Sequence, residues 1–115
     1  MKVVIDYLEE FARGARILRK KYPSFEKDYE TFLDELEHYP FSGTPLGKHT
    51  YKHRMAIGSK GKGKSGGARI ITYTVQQTAD ETVLITLMTI YDKSEVSNVT
   101  DAYLRSLVQM IESSK

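Results

Sequence analysis

The sequence predicts an α+β fold, in which a mainly antiparallel sheet is covered by two N-terminal helices and a C-terminal helix. Helical periodicity dominates the first third of the chain and its end, whereas a period of two and β-branched runs dominate the region between. Strands that follow one another between segregated helices are typical of α+β domains. The 115 residues suit one compact domain, 1–115.

The first predicted elements are a short strand over residues 3–7 and two amphipathic helices. The first helix has its apolar residues at helical spacing, at Leu8, Phe11, Ala12, Ala15, Leu18 and Tyr22. Pro23 ends this helix, and Ser24 is suited to cap the next one. The second helix has its own apolar stripe, formed by Phe25, Tyr29, Phe32, Leu33 and Leu36.

Three strands and a helix complete the prediction. Proline and glycine break the chain over 40–47, so no regular element is expected there. From Thr50 the period changes to two, and a second strand covers 68–76. The third, over 82–91, is nearly all apolar or β-branched, as a strand buried on both faces would be. Thr100 begins the last helix, and the order is strand–helix–helix–three strands–helix.

Charge is distributed unevenly along the chain. The net charge is +2, but residues 38–79 carry seven basic side chains and no Asp or Glu. Such a segment is typical of a surface that binds a polyanion, although a solvated basic face has the same composition. There is no cysteine, which excludes disulfides and thiolate metal sites. Without a secretion signal or a long apolar run, we expect a cytoplasmic protein that contacts no membrane.

The loop between the first two of these three strands is rich in glycine and lysine. Its sequence, Gly58-Ser-Lys-Gly-Lys-Gly-Lys-Ser65, matches the P-loop pattern GxxxxGK[ST]. A P-loop needs a helix directly after it, and here a strand is predicted, so no nucleotide cofactor is expected. The loop is either a plain flexible connector or an RNA-binding loop in which Lys60, Lys62 and Lys64 neutralise phosphates.

Three cations are predicted to meet beside this loop. Lys52 and Arg54 share a strand face, and Arg69 opens the neighbouring antiparallel strand. Unpaired cations at this separation repel one another, so either a bound polyanion or an Asp or Glu from elsewhere in the fold is expected to neutralise them. His49 and His53 are expected on the opposite face of the strand, and no metal site is predicted.

Two tyrosines on the predicted strands are each either a core residue or a platform for a stacked base. They are Tyr73 on the second strand and Tyr91 on the third. Tyr91 is the better functional candidate, because it ends its strand and shares a face with Lys93.

Three motifs carry most of these residues: Tyr51-Lys-x-Arg54, Gly61-Lys-Gly-Lys-Ser-Gly-Gly-x-Arg69-Ile-Ile-x-Tyr73 and Ile90-Tyr-Asp-Lys93-Ser-Glu95. Together they resemble the HigB branch of the RelE toxin superfamily, and the resemblance spans nearly the whole chain. It implies a RelE-like fold and a ribosome-dependent endoribonuclease that cleaves mRNA in the ribosomal A site. It also implies a cognate antitoxin that silences the toxin.

The resemblance also implies roles for individual residues. Lys52 and Arg54 match a basic pair on the family's second strand, and Arg69 matches the arginine that contacts the scissile phosphate. Lys93 matches a basic position after the fourth strand.

Two positions depart from RelE itself, which has an arginine in place of Ser94 and a catalytic tyrosine near Thr100. Tyr91 and Lys93 are the candidates for those roles in this chain.

The predicted reaction is attack of a ribose 2′-hydroxyl on the adjacent phosphate, which needs a base, an acid and cations. Lys52 is the candidate base, because neighbouring cations favour a neutral lysine. Either Tyr91 or Lys93 is the acid. The predicted catalytic residues are Lys52, Arg54, Arg69, Tyr91 and Lys93, and the predicted RNA-binding residues are Lys60, Lys62, Lys64 and Tyr73. The rival functions are a ParE-like gyrase inhibitor and a non-enzymatic RNA-binding module.

Overall fold

A computed structural model describes residues 2–77 and 79–114 as five strands and three α-helices. Along the chain these are β1 (Lys2–Tyr7), α1 (Glu9–Lys21), α2 (Phe25–His38), β2 (Thr44–Gly47), β3 (Thr50–Met55), β4 (Ala68–Gln77), β5 (Thr82–Asp92) and α3 (Asp101–Ser113). A short 3₁₀ turn, Gly58–Lys60, follows β3. The predicted α+β class is confirmed, and none of the described helices is long and apolar enough to cross a membrane.

The sheet has the strand order β1-β5-β4-β3-β2. β1 pairs with β5 in parallel, and the other neighbouring strands pair antiparallel. The prediction of a mainly antiparallel sheet is therefore confirmed. A parallel pair needs a long connection between its strands, and α1, α2 and three further strands separate β1 from β5 along the chain.

The edge strand β2 was not predicted, and the expectation of a plain chain break over 40–47 is wrong. Thr44 pairs with Lys52 and Pro45 with Tyr51, and the register shifts before Gly47. A proline lacks the N–H that a central strand would donate, but β2 has no neighbour on its outer side. Proline is therefore tolerated in this strand.

The sheet separates two apolar layers. On one face, α1 and α2 pack against buried residues of the strands, among them Met55, Ile70, Val83, Ile85, Leu87 and Ile90. On the other face, α3 contributes Leu107, Val108 and Ile111 and covers Ile71, Tyr73, Met88 and Tyr91. Burial of each such aliphatic side chain contributes about 1.5–3 kcal/mol. Because side chains alternate along a strand, Lys52, Arg54 and Arg69 belong to the α3 face.

Two of the predicted helix boundaries have different outcomes. α1 ends at Lys21, just before Pro23, as predicted. Ser24 occupies the position before α2 but does not cap it, because its own backbone is already helical, with φ −83° and ψ 0°. Its hydroxyl contacts Asp28 and Ser59 instead.

The predicted start of the last helix at Thr100 is confirmed. The side chain of Thr100 accepts a hydrogen bond from the backbone N of Tyr103, at 3.1 Å. This bond satisfies one of the free N–H groups in the first turn of α3.

The two histidines do not share a strand face, so that prediction is wrong. β3 begins at Thr50, and His49 lies in the preceding turn with a φ of 69°. A residue in a left-handed turn falls outside the strand alternation. The His49 ring packs against Tyr73, with 5.8 Å between ring centroids, whereas His53 packs against Phe32 of α2 at 5.5 Å.

The burial of His53 predicts a loss of stability in mild acid. Burial lowers the pKa of His53 from 6.5 to about 4, and its Nε2 contacts the Thr72 hydroxyl at 3.0 Å. Between these two values the unfolded chain binds a proton that the folded chain does not. The free energy of unfolding should therefore fall by ~3 kcal/mol as the pH drops through this window. Urea unfolding of wild type and His53→Asn checks this, and equal pH slopes would contradict it.

Candidate functional site

Strands β3, β4 and β5 bring four of the predicted site residues to one end of the α3 face. Arg54 on β3 is the register partner of Arg69 on β4, and Arg69 is the partner of Tyr91 on β5. Direct partners of this kind have Cβ atoms about 4.5–5.5 Å apart. Lys52 lies two residues along β3, opposite Ile71. We call Lys52, Arg54 and Arg69 the basic cluster.

No carboxylate neutralises the basic cluster within residues 2–77 and 79–114. None of the ion pairs found there includes Lys52, Arg54 or Arg69. The sequence left open that an Asp or Glu from elsewhere in the fold neutralises these cations. The described residues do not support that alternative. Like charges directly opposite on two strands are destabilising, and a bound anion would relieve the repulsion.

The guanidinium of Arg69 is largely buried, with 6% of the residue exposed, and it holds the end of the Gly/Lys loop. Its Nη1 donates to the backbone oxygens of Lys64, at 3.0 Å, and Ala68, at 3.3 Å. Its Nη2 donates to the backbone oxygen of Ser65, at 3.0 Å. Arginine has more N–H donors than these bonds use, so contact with a phosphate stays a prediction. The loop-holding bonds were not predicted.

Tyr91 lies beside Arg69 and is 9% exposed. Burial raises the pKa of the Tyr91 phenol, and the charge of Arg69 partly opposes that rise. Tyr91 therefore keeps its proton at neutral pH, which suits an acid rather than a base. The ammonium of Lys93 donates instead to the backbone oxygen of Ser97, at 2.7 Å.

The first half of the Gly/Lys loop is fixed to the N-terminus of α2. The backbone N of Gly58 donates to Asp28 Oδ2 at 2.9 Å, and that of Ser59 donates to Ser24 Oγ at 2.8 Å. β4 follows the loop, so the P-loop pattern over 58–65 lacks the helix N-terminus that would meet a nucleotide phosphate.

Asp92 is a buried carboxylate whose role the sequence reasoning missed. It accepts hydrogen bonds from Lys60 Nζ at 2.7 Å, from Tyr22 Oη at 2.6 Å, and from the backbone N and the hydroxyl of Ser94, at 2.9 and 2.7 Å. Burial alone would raise the pKa of Asp92, but these bonds hold it well below its usual range. The sequence feature that could have indicated this role is a carboxylate at the end of an otherwise uncharged strand.

Lys60 therefore differs from the other two loop lysines. Its side chain is 8% exposed and its ammonium is bound to Asp92. Lys60 therefore has a structural role and is not placed to bind RNA as predicted. Lys62 is exposed, and Lys64 makes only an exposed ion pair with Glu35, at 3.5 Å. Such a pair contributes about 0–1 kcal/mol to stability.

The Lys64 side chain lies toward α2 rather than over the α3 face of the sheet. It lines two cavities of about 320 and 80 Å³ together with Arg54 and with Phe32 and Glu35 of α2. The Arg69 bond to the Lys64 backbone keeps this part of the loop beside the cluster.

The ring of Tyr73 lies in the core under α3. Of the two roles that the sequence allowed, a core residue or a platform for a stacked base, the structure supports the first. It is 3% exposed, and its hydroxyl donates to Glu112 Oε2 at 3.0 Å. Tyr73 is also four residues from Arg69 along β4, about 13 Å away. Tyr73 pairs with Thr50, two residues from Lys52, but its ring is covered by α3 and is not exposed for a base to stack on.

Among the described residues, no group of three or more His, Asp or Glu side chains is arranged to hold a metal ion. No protein-family model matches the sequence. The chemistry of the site itself is therefore the evidence for the function.

Proposed function

We propose that the protein is a ribosome-dependent mRNA endoribonuclease, a toxin of RelE-like fold that cuts by attack of the substrate's own 2′-hydroxyl. The observation that carries this proposal is the unneutralised basic cluster beside Tyr91. Arg54 and Arg69 are direct partners in the sheet, with Lys52 on the same face. Such a group can bind the scissile phosphate and stabilise the charge that develops on it.

The side chains divide the steps of the reaction among them. Lys52 is the base that takes the 2′-hydroxyl proton, and Arg54 and Arg69 bind the phosphate oxygens. Tyr91, the direct neighbour of Arg69 in the sheet, donates a proton to the leaving 5′ oxygen. Tyr91 is preferred to Lys93 as the acid because the Lys93 ammonium is held by the turn after β5.

Two partners follow from this proposal. Exposed Lys62 and Lys64 bind the backbone of ribosomal RNA or mRNA through their charge. A cognate antitoxin covers the basic cluster with an acidic segment and so prevents mRNA from reaching it. The toxin and its antitoxin would act in the cytoplasm.

Induced expression with mapping of mRNA 5′ ends tests the proposal. Wild type should produce new ends within translated regions, and Arg54→Ala should reduce them by about 10²–10³-fold, because it removes a charge that stabilises the transition state. Lys20→Ala on α1 is the matched control and should cleave as wild type does. Growth arrest without new mRNA ends would overturn the proposal and favour a gyrase inhibitor or a module that only binds RNA.

A further inference from the structure

A groove of about 750 Å³ lies between α3 and the turn that joins β2 to β3. Its lining includes apolar Leu46 and Val108, the two cations Lys48 and Arg105, and the two carboxylates Asp101 and Glu112. A volume of this size is typical of sites that hold a small ligand or part of a larger one. Neither cation belongs to an ion pair with any other described residue.

The turn beside the groove has an unusual backbone. Lys48 and His49 have φ values of 52° and 69°, a two-residue turn that normally contains asparagine and glycine. The backbone oxygen of His49 accepts a bond from Thr74 N at 2.8 Å, and its ring packs on Tyr73. Strained residues held in this way are often found at ligand sites. The contacts of His49 hold the turn that places Lys48 in the groove lining.

The groove also continues the surface that leads to the basic cluster. Thr50 lines it, and Lys52 and Arg54 follow on the same face of β3. Arg54 is four residues beyond Thr50, about 13 Å along the strand. An RNA strand whose scissile phosphate lies at Arg54 therefore passes Lys52 and reaches the groove with a nearby nucleotide.

We propose that this groove binds one nucleotide of single-stranded RNA, separate from the nucleotide that is cut. The inference rests on the proposed function and adds a specificity site to it. Lys48 and Arg105 bind the backbone phosphate, while the base packs on Leu46 and Val108.

Two further groove residues can read the edge of that base. The Gln109 amide and the Glu112 carboxylate also line the groove. Glu112 accepts from Tyr73 and, as a carboxylate, has further acceptor sites. A carboxylate accepts from exocyclic amino groups, so adenine or cytosine should be preferred to uracil.

Binding of a fluorescently labelled short oligoadenylate to the whole protein tests the groove directly. Lys48→Ala/Arg105→Ala should weaken binding and lower the slope of log affinity against log salt by about one unit for each phosphate that the variant no longer binds. Lys20→Ala should change neither quantity. The proposal is overturned if the double variant binds as wild type does, or if Lys20→Ala weakens binding equally. Loss of antitoxin binding instead of RNA binding would assign the groove to a protein segment and also overturn it.

Maps of the cleavage sites test the groove and the proposed endoribonuclease activity independently. Gln109→Ala/Glu112→Gln should lose the preference for an amino-bearing base at one fixed position near the cut, whereas Lys20→Ala should keep it. An unchanged preference would reject the groove and leave the endoribonuclease standing. The absence of any cleavage by wild type would reject the proposed function itself.

Discussion

Replacing Lys60 with alanine should lower the free energy of unfolding by about 1.5–3 kcal/mol. The change leaves the Asp92 carboxylate, 2% exposed, without the cation that binds it at 2.7 Å. The carboxylate keeps its bonds from Tyr22 and Ser94, and Lys21 lies 3.9 Å away, but it loses the cation that contacts it most closely. A buried charge that loses a hydrogen-bonded partner is destabilised. Urea unfolding monitored by circular dichroism measures the effect.

Two variants control this prediction. Lys62→Ala removes an exposed lysine from the same loop and should change stability by less than about 0.5 kcal/mol. Lys60→Met/Asp92→Leu removes both charges and should recover much of the stability that Lys60→Ala removes. If Lys60→Ala proved as stable as Lys62→Ala, the Lys60–Asp92 ion pair would not stabilise the fold. Lys60 would then again be a candidate for binding RNA.

Replacing Arg69 with alanine should abolish growth arrest, with a fall in mRNA cleavage of about 10²–10³-fold. The guanidinium supplies charge next to Arg54 and Tyr91, and it also holds the backbone oxygens of Lys64 and Ser65. Removal of those bonds should reduce stability by about 1–3 kcal/mol, so growth assays and unfolding curves are needed together.

Arg54→Ala distinguishes the loss of positive charge at the site from the loss of the bonds that hold the loop. Arg54 is exposed, so its removal should reduce cleavage without a matching decrease in stability. Growth arrest that persists with soluble Arg69→Ala would remove Arg69 from the site.

Local patterns in the sequence were sufficient for most of the fold. Helical spacing before Pro23 and the period of two after Thr50 indicated α1 and β3, since both depend on which faces of a segment are buried. The meeting of Arg54 and Arg69 also followed from the sequence, because a loop between two antiparallel strands brings their adjoining ends together.

Features that depend on distant contacts were not predictable. β2 contains Pro45 and is stabilised only by its pairing with β3, so its local pattern resembles a loop. The bond between Lys60 and Asp92 joins a loop to the end of a strand 32 residues later. Neither residue alone shows whether its charge is solvated, and this is why Lys60 resembled the exposed lysines beside it.

The chemistry of the RNA ends is the most direct measurement of the proposed reaction. Attack by the 2′-hydroxyl leaves a 2′,3′-cyclic phosphate on one fragment and a 5′-hydroxyl on the other. Because the ribosome itself needs Mg²⁺, removal of metal is not a clean test, whereas end-specific ligation of the fragments is. We expect adapters to join the 3′ ends only after the cyclic phosphate is removed. Fragments with a free 3′-hydroxyl and a 5′-phosphate would mean hydrolysis by an activated water and would contradict the proposed reaction.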